Sequence, residues 1–292
     1  MKPAAFEYVR AESIEQAVNA LAGAGGDGKI IAGGQSLVPM MNFRLVKPSV
    51  LVDINRIPGL EKIERRGTRI SLGALVRHRM TASDPLIAEN VPVLHHAMKH
   101  VAHLTVRNRG TFCGSICHAD PAAEMPMIAQ LLNAEIHIVS PTGERCLSAK
   151  DFFTGALVTA LEPDEIVTKV EIDQLAPDAG WGFGEFARRH GDYALAAVAV
   201  TMLRRDGVAS DVRAAVMGVG EMAMRVTEVE NLLEGHVIES DLIDVAVDAL
   251  RSTIEPNSDL HASADYRRHL CGELMRQALS DAWKRADRKH VL

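Results

Sequence analysis

Two glycine-containing segments of this 292-residue sequence have the residue types needed to bind a phosphate through the backbone. The first, Ala32–Ser36 (AGGQS), directly follows a short apolar run that predicts a strand. Adjacent glycines after a strand allow backbone N–H groups to converge on an anion with no Cβ in the way. The second, Arg109–Ser115 (RGTFCGS), is a loop of similar character. Because an ordinary glycine turn accounts for either segment alone, only the pair indicates a binding site.

An acidic helix start follows the second segment. Asp120 and Pro121 suit the N-cap and first turn of a helix that carries Glu124 near its beginning. The diphosphate of a dinucleotide needs several N–H donors, and its ribose hydroxyls need an acceptor. Two glycine segments and one acidic helix start therefore predict a dinucleotide site better than any of them alone.

A literal G-x-G-x-x-G motif at Gly23–Gly28 has a different interpretation. The dinucleotide fingerprint requires a strand before the glycines and a helix after them, so that the pyrophosphate meets a helix N-terminus. Here a predicted helix precedes the glycines and a predicted strand follows them. We therefore expect these glycines to end a helix and turn the chain.

Other chemistry-bearing residues do not form a recognisable site. His95, His96, His100 and His103 lie close together, but no Glu completes a zinc motif between them, so we expect a surface or capping row and no metal. The four cysteines have no iron–sulfur spacing. We find no Ser-His-Asp or paired-carboxylate constellation and predict no catalytic side chain.

Composition narrows the class of protein. The net charge of −6, from 32 Lys and Arg against 38 Asp and Glu, gives no electrostatic reason to expect a nucleic-acid partner. The longest apolar run, Ala194–Leu203, is far shorter than the roughly 20 residues that cross a bilayer. The N-terminal residues lack the apolar stretch of a secretory signal, and four cysteines do not make a disulfide scaffold. We expect a cytoplasmic protein without a membrane span.

Hydrophobic periodicity predicts the elements that hold these segments. Ser13–Gln16 is a capping box for a helix that begins at Ile14 and ends at Gly23. Strands at Lys29–Ala32 and Val50–Asp53 complete a small β-α-β-like unit. Further elements up to residue 176 are predicted as strands Arg69–Leu72, Ala134–Ser140 and Ile166–Ile172 and helices Leu75–Ala82, Val93–Leu104 and Ala122–Leu132.

A change in composition at Ala176–Gly180 is the best candidate for a domain boundary. We expect an N-terminal domain over 1–176, with subdomains at about 1–55 and 56–176, and a C-terminal domain over 177–292. The C-terminal elements are predicted as strands Trp181–Arg188, Ala194–Leu203 and Val212–Val219, then helices Thr227–Leu233, Ser240–Ser252 and Ala264–Ala286. Strands followed by helices predict an α+β protein.

Three segments of the sequence resemble a known family: Ala32–Pro39 with Arg44, Arg107–Pro126, and Gly191–Ala194. They are similar to the FAD-binding medium subunit of molybdenum hydroxylases, the carbon monoxide dehydrogenase and xanthine dehydrogenase group. The resemblance runs in order across nearly the whole chain. It implies the FAD-binding fold of the vanillyl-alcohol oxidase (PCMH) type in two α+β subdomains. A C-terminal domain of the carbon monoxide dehydrogenase flavoprotein type would follow, with a three-stranded antiparallel sheet and helices.

The resemblance also implies roles for fourteen residues. The first glycine segment would hold the FAD pyrophosphate, and the second would close its other side. Glu124 would accept from the ribose, Val167 would touch the adenine or flavin region, and Tyr193 would lie against the isoalloxazine. The alternative for Tyr193 is an aromatic side chain in the core at a strand end. The implied FAD-binding residues are Ala32, Gly33, Gly34, Gln35, Ser36, Leu37, His78, Thr111, Gly114, Ser115, Asp120, Glu124, Val167 and Tyr193.

The function that the resemblance implies is electron transfer within a larger enzyme. A molybdopterin large subunit would oxidise the substrate, and a small subunit would carry electrons through two [2Fe-2S] clusters to FAD on this chain. The external acceptor would be NAD, oxygen, a quinone or a carrier, and the complex would be a dimer of heterotrimers. Two alternatives are a free-standing FAD-dependent oxidase or dehydrogenase and a non-catalytic nucleotide-binding scaffold.

The sequence departs from the family pattern at Cys113, where glycine is more usual. A Cβ at this position would crowd the phosphate unless the thiol points away. We expect a buried, inert thiol, with a reactive thiol as the alternative.

Overall fold

The computed structural model describes residues 1–286, and its N-terminal region is a small parallel sheet with two helices. The elements of this region are β1 (Glu7–Arg10), α1 (Ile14–Gly23), β2 (Gly28–Ile31), α2 (Leu37–Asn42) and β3 (Val50–Asp53). Both β1 and β2 pair in parallel with the central strand β3. Ser13 Oγ accepts from the Gln16 N–H, as predicted, whereas Gln16 Oε1 accepts from the Glu12 N–H rather than from Ser13.

The second region is an antiparallel sheet with short helices packed on one face. Its elements are β4 (Ile63–Arg66), β5 (Arg69–Gly73), α3 (His78–Ser83), α4 (Pro85–Asn90), α5 (Pro92–Ala97), α6 (Leu104–Arg107), α7 (Phe112–His118), α8 (Glu124–Leu131), β6 (Glu135–Ser140), β7 (Gly143–Ser148), α9 (Ala149–Phe152), β8 (Phe153–Gly155), β9 (Val158–Thr159) and β10 (Ile166–Asp173). The strands lie in the order β4-β5-β10-β6-β7. Alternate residues such as Ile136 and Ile138 point into the core.

Three predicted helices of this region differ from the structure, and the one predicted over Leu75–Ala82 begins at His78. The helix predicted over Val93–Leu104 is interrupted between α5 and α6, where Ala102 adopts a left-handed φ of 40°. The helix predicted from Ala122 begins at Glu124 instead, and Ala123 is its N-cap. Asp120, predicted as that N-cap, accepts from the Ala122 N–H at 2.9 Å in a separate turn before the helix.

The C-terminal region is an antiparallel sheet covered by three helices. Its elements are β11 (Gly180–Ala187), β12 (Ala194–Arg205), β13 (Val208–Met217), β14 (Met224–Arg225), α10 (Thr227–Leu233), α11 (Ser240–Thr253) and α12 (Ala264–Ala286). The strands lie in the order β11-β12-β13-β14, so the three predicted strands are joined by a fourth that is two residues long. This strand is too short to leave a periodic signal in the sequence.

The β11–β14 sheet joins two hydrophobic cores, which explains why β12 is apolar on both faces. Ala197 and Ala199 pack into the core shared with the N-terminal regions. Val198 and Val200 pack into a second core beneath α10, α11 and α12. The continuous apolar run in the sequence is therefore a strand buried on both sides. Among the described residues, no helix is both long and apolar enough to cross a membrane.

Candidate functional site

A cavity of about 790 Å³ lies where the first two regions meet the loop before β12. Its volume is in the range of about 300–1,000 Å³ that is typical of small-molecule sites. All fourteen residues that the sequence analysis assigned to the site line its wall: Ala32, Gly33, Gly34, Gln35, Ser36, Leu37, His78, Thr111, Gly114, Ser115, Asp120, Glu124, Val167 and Tyr193. Residues far apart in the chain are thus brought to one cavity.

The two adjacent glycines of the first segment are needed for different reasons. Gly34 has a left-handed φ of 70°, which L side chains rarely adopt. A Cβ at Gly33 would overlap the carbonyl oxygen of Arg109 and would lie 2.8 Å from the Cα of Gly110. Gly33 therefore permits the two glycine segments to pack together, in addition to leaving the first segment open to a ligand.

The second segment is the beginning of a helix rather than the loop that the sequence predicted. Thr111 is the N-cap of α7, and its Oγ1 accepts from the Gly114 N–H at 3.0 Å. A Cβ at Gly114 would lie 2.6 Å from that same oxygen. In the sequence this glycine indicates a loop, whereas in the structure it makes room for the helix cap.

Cys113 lines the cavity, and its thiol contacts the β4–β10 sheet. Its Sγ lies 3.5 Å from the carbonyl oxygen of Leu72 in β5, and the residue is buried. Burial raises the pKa of the Cys113 thiol well above its ordinary value. The thiol is therefore protonated at neutral pH, in agreement with the expected inert role.

A polar network connects the two glycine segments, and the sequence analysis did not find it. Asn55 donates from Nδ2 to the Ala32 carbonyl at 2.8 Å and to Asp53 Oδ1 at 2.7 Å. Arg77 donates both to Asn55 Oδ1 and to the Arg109 carbonyl. One arginine and one asparagine thus tie the carbonyls that flank the cavity to each other. In the sequence, the available signal for this network is Asn55, which closely follows Asp53 at the end of the predicted strand.

The acidic end of the cavity contains Asp120 and Glu124 near Tyr193. Burial, followed by the negative charge of Asp120, raises the pKa of Glu124 to about 7. Desolvation of its hydroxyl and the neighbouring Asp120 also raise the pKa of Tyr193. Tyr193 is 66% exposed and lines the cavity, so the alternative of a core aromatic is wrong. This end can offer both a carboxyl group and a phenol to a ligand.

His78 and Val167 form an inner part of the wall. His78 is buried, and its backbone N–H donates to the Gly110 carbonyl at 2.9 Å. Its ring Nδ1 has no hydrogen-bond partner among the described residues. Burial and the Arg107 charge lower the pKa of His78 to about 4, so the ring is neutral at pH 7. Val167 lies in β10 and is buried. His78 therefore places a neutral, buried imidazole in the inner wall of the cavity.

Further residues of the cavity were not assigned from the sequence. Gly191 has a φ of 84°, and a Cβ there would lie 2.5 Å from Cε1 of His103. The loop before β12 therefore packs directly on His103, and both line the cavity. Lys29 also lines the wall, and among the described residues it is the single Lys or Arg that does so. Arg44, part of the first motif, does not line the cavity, and its Nε is 3.4 Å from the Lys2 carbonyl.

Two of the clustered histidines, His96 and His100, are expected at the surface but are partly buried between the regions. His96 and His100 lie against Phe183, with ring centroids 5.6 and 4.9 Å away. Burial is the largest cause that lowers the pKa of His96 to about 4. His100 Nδ1 is 3.9 Å from Oε1 of Glu185, whose side chain is only 4% exposed. Burial and then the charge of Glu124 raise the pKa of Glu185 to about 8.

Two family models together match most of the chain. Residues 4–174 match the model described as the FAD binding domain in molybdopterin dehydrogenase. Residues 181–282 match the model described as the CO dehydrogenase flavoprotein C-terminal domain. The cofactor and fold that the resemblance implied are therefore confirmed at the level of the family.

Full-length relatives agree with the family models. The chain is 42% identical to the 6-hydroxypseudooxynicotine dehydrogenase complex subunit alpha of Paenarthrobacter nicotinovorans, over 98% of this chain and 97% of the relative. A carbon monoxide dehydrogenase structure from Hydrogenophaga pseudoflava that lacks the Mo-pyranopterin moiety matches with a TM-score of 0.95 and 36% identity, covering 98% of this chain and 99% of that one. Quinoline 2-oxidoreductase from Pseudomonas putida 86 matches with a TM-score of 0.93 and 39% identity over the same shares.

Proposed function

The chain belongs to the family of FAD-binding medium subunits of molybdenum hydroxylases, and from that premise we propose that it is an electron-transfer subunit. It accepts electrons from iron–sulfur clusters on a small partner subunit and passes them to an external acceptor. The substrate is oxidised on a large partner subunit that holds molybdopterin. The observation that carries this proposal is the single cavity lined by all fourteen residues that the resemblance assigned to FAD.

The chemistry of the cavity wall fits FAD part by part. The backbone at Gly33 and Gly34 and the first turn of α7 present a surface without side chains to the pyrophosphate. Lys29 adds one positive charge on the wall. Carboxyl groups accept hydrogen bonds from ribose hydroxyls, and Glu124 is the acid that we assign to this contact. His78 lines the inner wall, where we assign it a contact with the cofactor.

When FAD is bound, its isoalloxazine supplies the redox chemistry, and the protein supplies position and electrostatics. Tyr193 stands in the exposed part of the wall, where its ring can cover the isoalloxazine and its hydroxyl can tune access. Glu124 is half-protonated near pH 7 and can hold a proton beside the cofactor. Asp120 lies at the same end of the cavity and raises the pKa of both Glu124 and Tyr193.

The proposal extends to assembly and location. The chain works with an iron–sulfur small subunit and a molybdopterin large subunit as a dimer of heterotrimers in the cytoplasm. The name of one relative, a subunit of a dehydrogenase complex, supports assembly with partner subunits. Domains over 1–176 and 177–292, with a division near residue 55, are consistent with sheets spanning 7–53, 63–173 and 180–225.

Purification with and without co-expressed neighbouring subunits tests this function. We expect the chain alone to show a flavin absorption band, and the co-purified complex to show added iron–sulfur features that bleach when substrate is oxidised. Turnover of a small substrate by the isolated chain would support a free-standing oxidase instead. A colourless chain that still binds its partners would support a scaffold.

A further inference from the structure

The outer face of the β4–β10 sheet carries a second group of side chains that the FAD site does not use. Ile136 and Ile138 of β6 point into the core, so Glu135 and His137, which alternate with them, point outward. Cys146 of β7 is directly opposite His137. Glu171 of β10 is directly opposite Glu135. Three hydrogen-bonded strands thus present four possible metal ligands on one face.

The distances between these ligands are short. One ligand atom each from Glu135, His137 and Cys146 lies within 4.8 Å of the other two. Glu171 Oε2 is 3.6 Å from His137 Nε2. That nitrogen is buried and has no hydrogen-bond partner among the described residues. An imidazole nitrogen buried between a thiol and two carboxylates is arranged as a metal ligand would be.

We propose that Glu135, His137 and Cys146, with Glu171 as a fourth ligand, bind a divalent transition metal ion, preferentially Zn²⁺. Cys sulfur, His nitrogen and carboxylate oxygen are the ligands that zinc takes in four-coordinate sites. On binding, the Cys146 S–H bond breaks, a metal–sulfur bond forms, and the proton is released to solvent. A hard ion such as Mg²⁺ would be excluded, since thiolate and imidazole ligands favour softer metals.

The neighbouring cations are compatible with such a site. Arg69 contacts Glu135 at 2.7 Å, and Lys169 contacts Glu171. Each of the two carboxylates has a second oxygen that can coordinate the metal ion. In the metal-free protein, Arg69 and Lys169 balance the negative charge of these carboxylates. Because the ligands come from adjacent paired strands, a bound ion would cross-link β6, β7 and β10.

The site is separate from the FAD cavity. None of its four ligands lines that cavity. The inference therefore does not depend on the proposed function, and metal binding can be measured whether or not flavin is present.

Titration of the purified full chain with Zn²⁺ and with Co²⁺ tests the proposal. We expect one equivalent to bind, with a rise in melting temperature. The ligand-field bands of tetrahedral Co²⁺ lie to the red of flavin absorption and would be visible in the coloured protein. X-ray absorption at the zinc edge should show sulfur, nitrogen and oxygen neighbours.

Cys146→Ser and His137→Gln are expected to weaken Zn²⁺ binding by more than about tenfold. The melting temperature of the metal-free variants should stay near that of the wild type, because both changes are on the outer face. Glu144→Gln, on the same hairpin but opposite Val139, is the matched control and should bind normally. Failure of the wild type to bind one equivalent, or equal binding by both ligand variants, would overturn the proposal.

Discussion

Gly34 is the residue on which the proposed pyrophosphate contact depends most directly. Its left-handed backbone disfavours any side chain, and a Cβ would lie 3.1 Å from Ile31 Cδ1 and 3.2 Å from Val38 Cγ2. We expect Gly34→Val to destabilise the chain by about 1–2 kcal/mol and to abolish flavin binding. The ratio of flavin to protein absorbance after purification measures this.

A control for this variant must carry the same backbone strain away from the cavity. Gly67 has a φ of 62° in the turn between β4 and β5, and nothing lies within 4 Å of a Cβ placed there. Gly67→Val should lose similar stability but keep its flavin. If Gly34→Val retained full flavin occupancy, the first segment would not hold the pyrophosphate.

Tyr193 is predicted to affect the reactivity of the cofactor more than its binding. The ring is exposed at the cavity and takes no part in the glycine segments. Tyr193→Ala should therefore keep flavin bound but change the rate of its reoxidation, as followed by stopped-flow absorbance after anaerobic reduction. Tyr193→Phe keeps the ring and separates its effect from that of the hydroxyl. Unchanged kinetics in the alanine variant would remove Tyr193 from the site.

Glu185 links pH to stability through its buried carboxyl group. Its pKa is about 8 in the folded chain, against 4.5 ordinarily, so the folded state binds more protons between these values. The contribution of Glu185 to the free energy of unfolding is therefore fully present below about pH 4.5. This contribution is lost as the pH rises through 8, by up to about 1.4 kcal/mol per pH unit. Glu185→Gln mimics the protonated form and removes this part of the slope.

The measurement is the melting temperature of wild type and Glu185→Gln at pH 5 and pH 8.5. We expect a small difference at pH 5 and a more stable variant at pH 8.5. Glu162→Gln changes an exposed carboxyl group and should leave the pH dependence as it is. A Glu185→Gln curve parallel to that of the wild type would mean that the carboxyl group is solvated.

At the scale of elements, the contact between α12 and β11 depends on glycine. A Cβ at Gly182 would overlap the carbonyl oxygen of Ala278 in α12. Gly182→Ala should force these elements apart and cost about 1–3 kcal/mol of unfolding free energy in urea denaturation. Gly220→Ala is the matched control, because the nearest atom would be 3.8 Å away. Equal stability of both variants would show that the helix moves aside without cost.

The cavity itself is a property of pairs of elements. Asn55 follows β3 and Arg77 precedes α3, and their hydrogen bonds tie together the carbonyls of Ala32 and Arg109. No periodic pattern in the sequence predicts the hydrogen bond between Asn55 and Arg77, because each is an ordinary loop residue in its own segment. This explains why the sequence analysis predicted the two glycine segments but not the side chains that connect them.

At the scale of the whole molecule, ligand binding and folding should be coupled. The cavity takes residues from both N-terminal regions and from the loop before β12, and a ligand that fills it binds only the folded chain. FAD at 100 times its Kd should therefore stabilise the chain by about 2.7 kcal/mol. Melting curves of flavin-free protein with increasing FAD measure this. An unchanged melting temperature would contradict the assignment of this cavity.

Polar contacts join the C-terminal region to the second region, so ligand binding in the cavity can stabilise both. Arg213 of β13 pairs with Asp173 of β10 at 2.9 Å. Arg225 donates to Asn133 Oδ1 at 2.7 Å, and the Gly218 N–H donates to the Pro121 carbonyl at 2.9 Å. The C-terminal sheet is thereby attached both to the β4–β10 sheet and to the turn that carries the acidic end of the cavity.

The amino-acid sequence by itself determined the local elements and the residue types of the site. Capping at Ser13, the strand Val50–Asp53 and the helices Thr227–Leu233 and Ala264–Ala286 depend on short-range contacts, so local patterns predicted them. Only the tertiary structure decided that the two glycine segments, Glu124 and Tyr193 meet at one cavity. This outcome depends on contacts between residues distant in the chain, and one segment's periodicity carries no information about its partner.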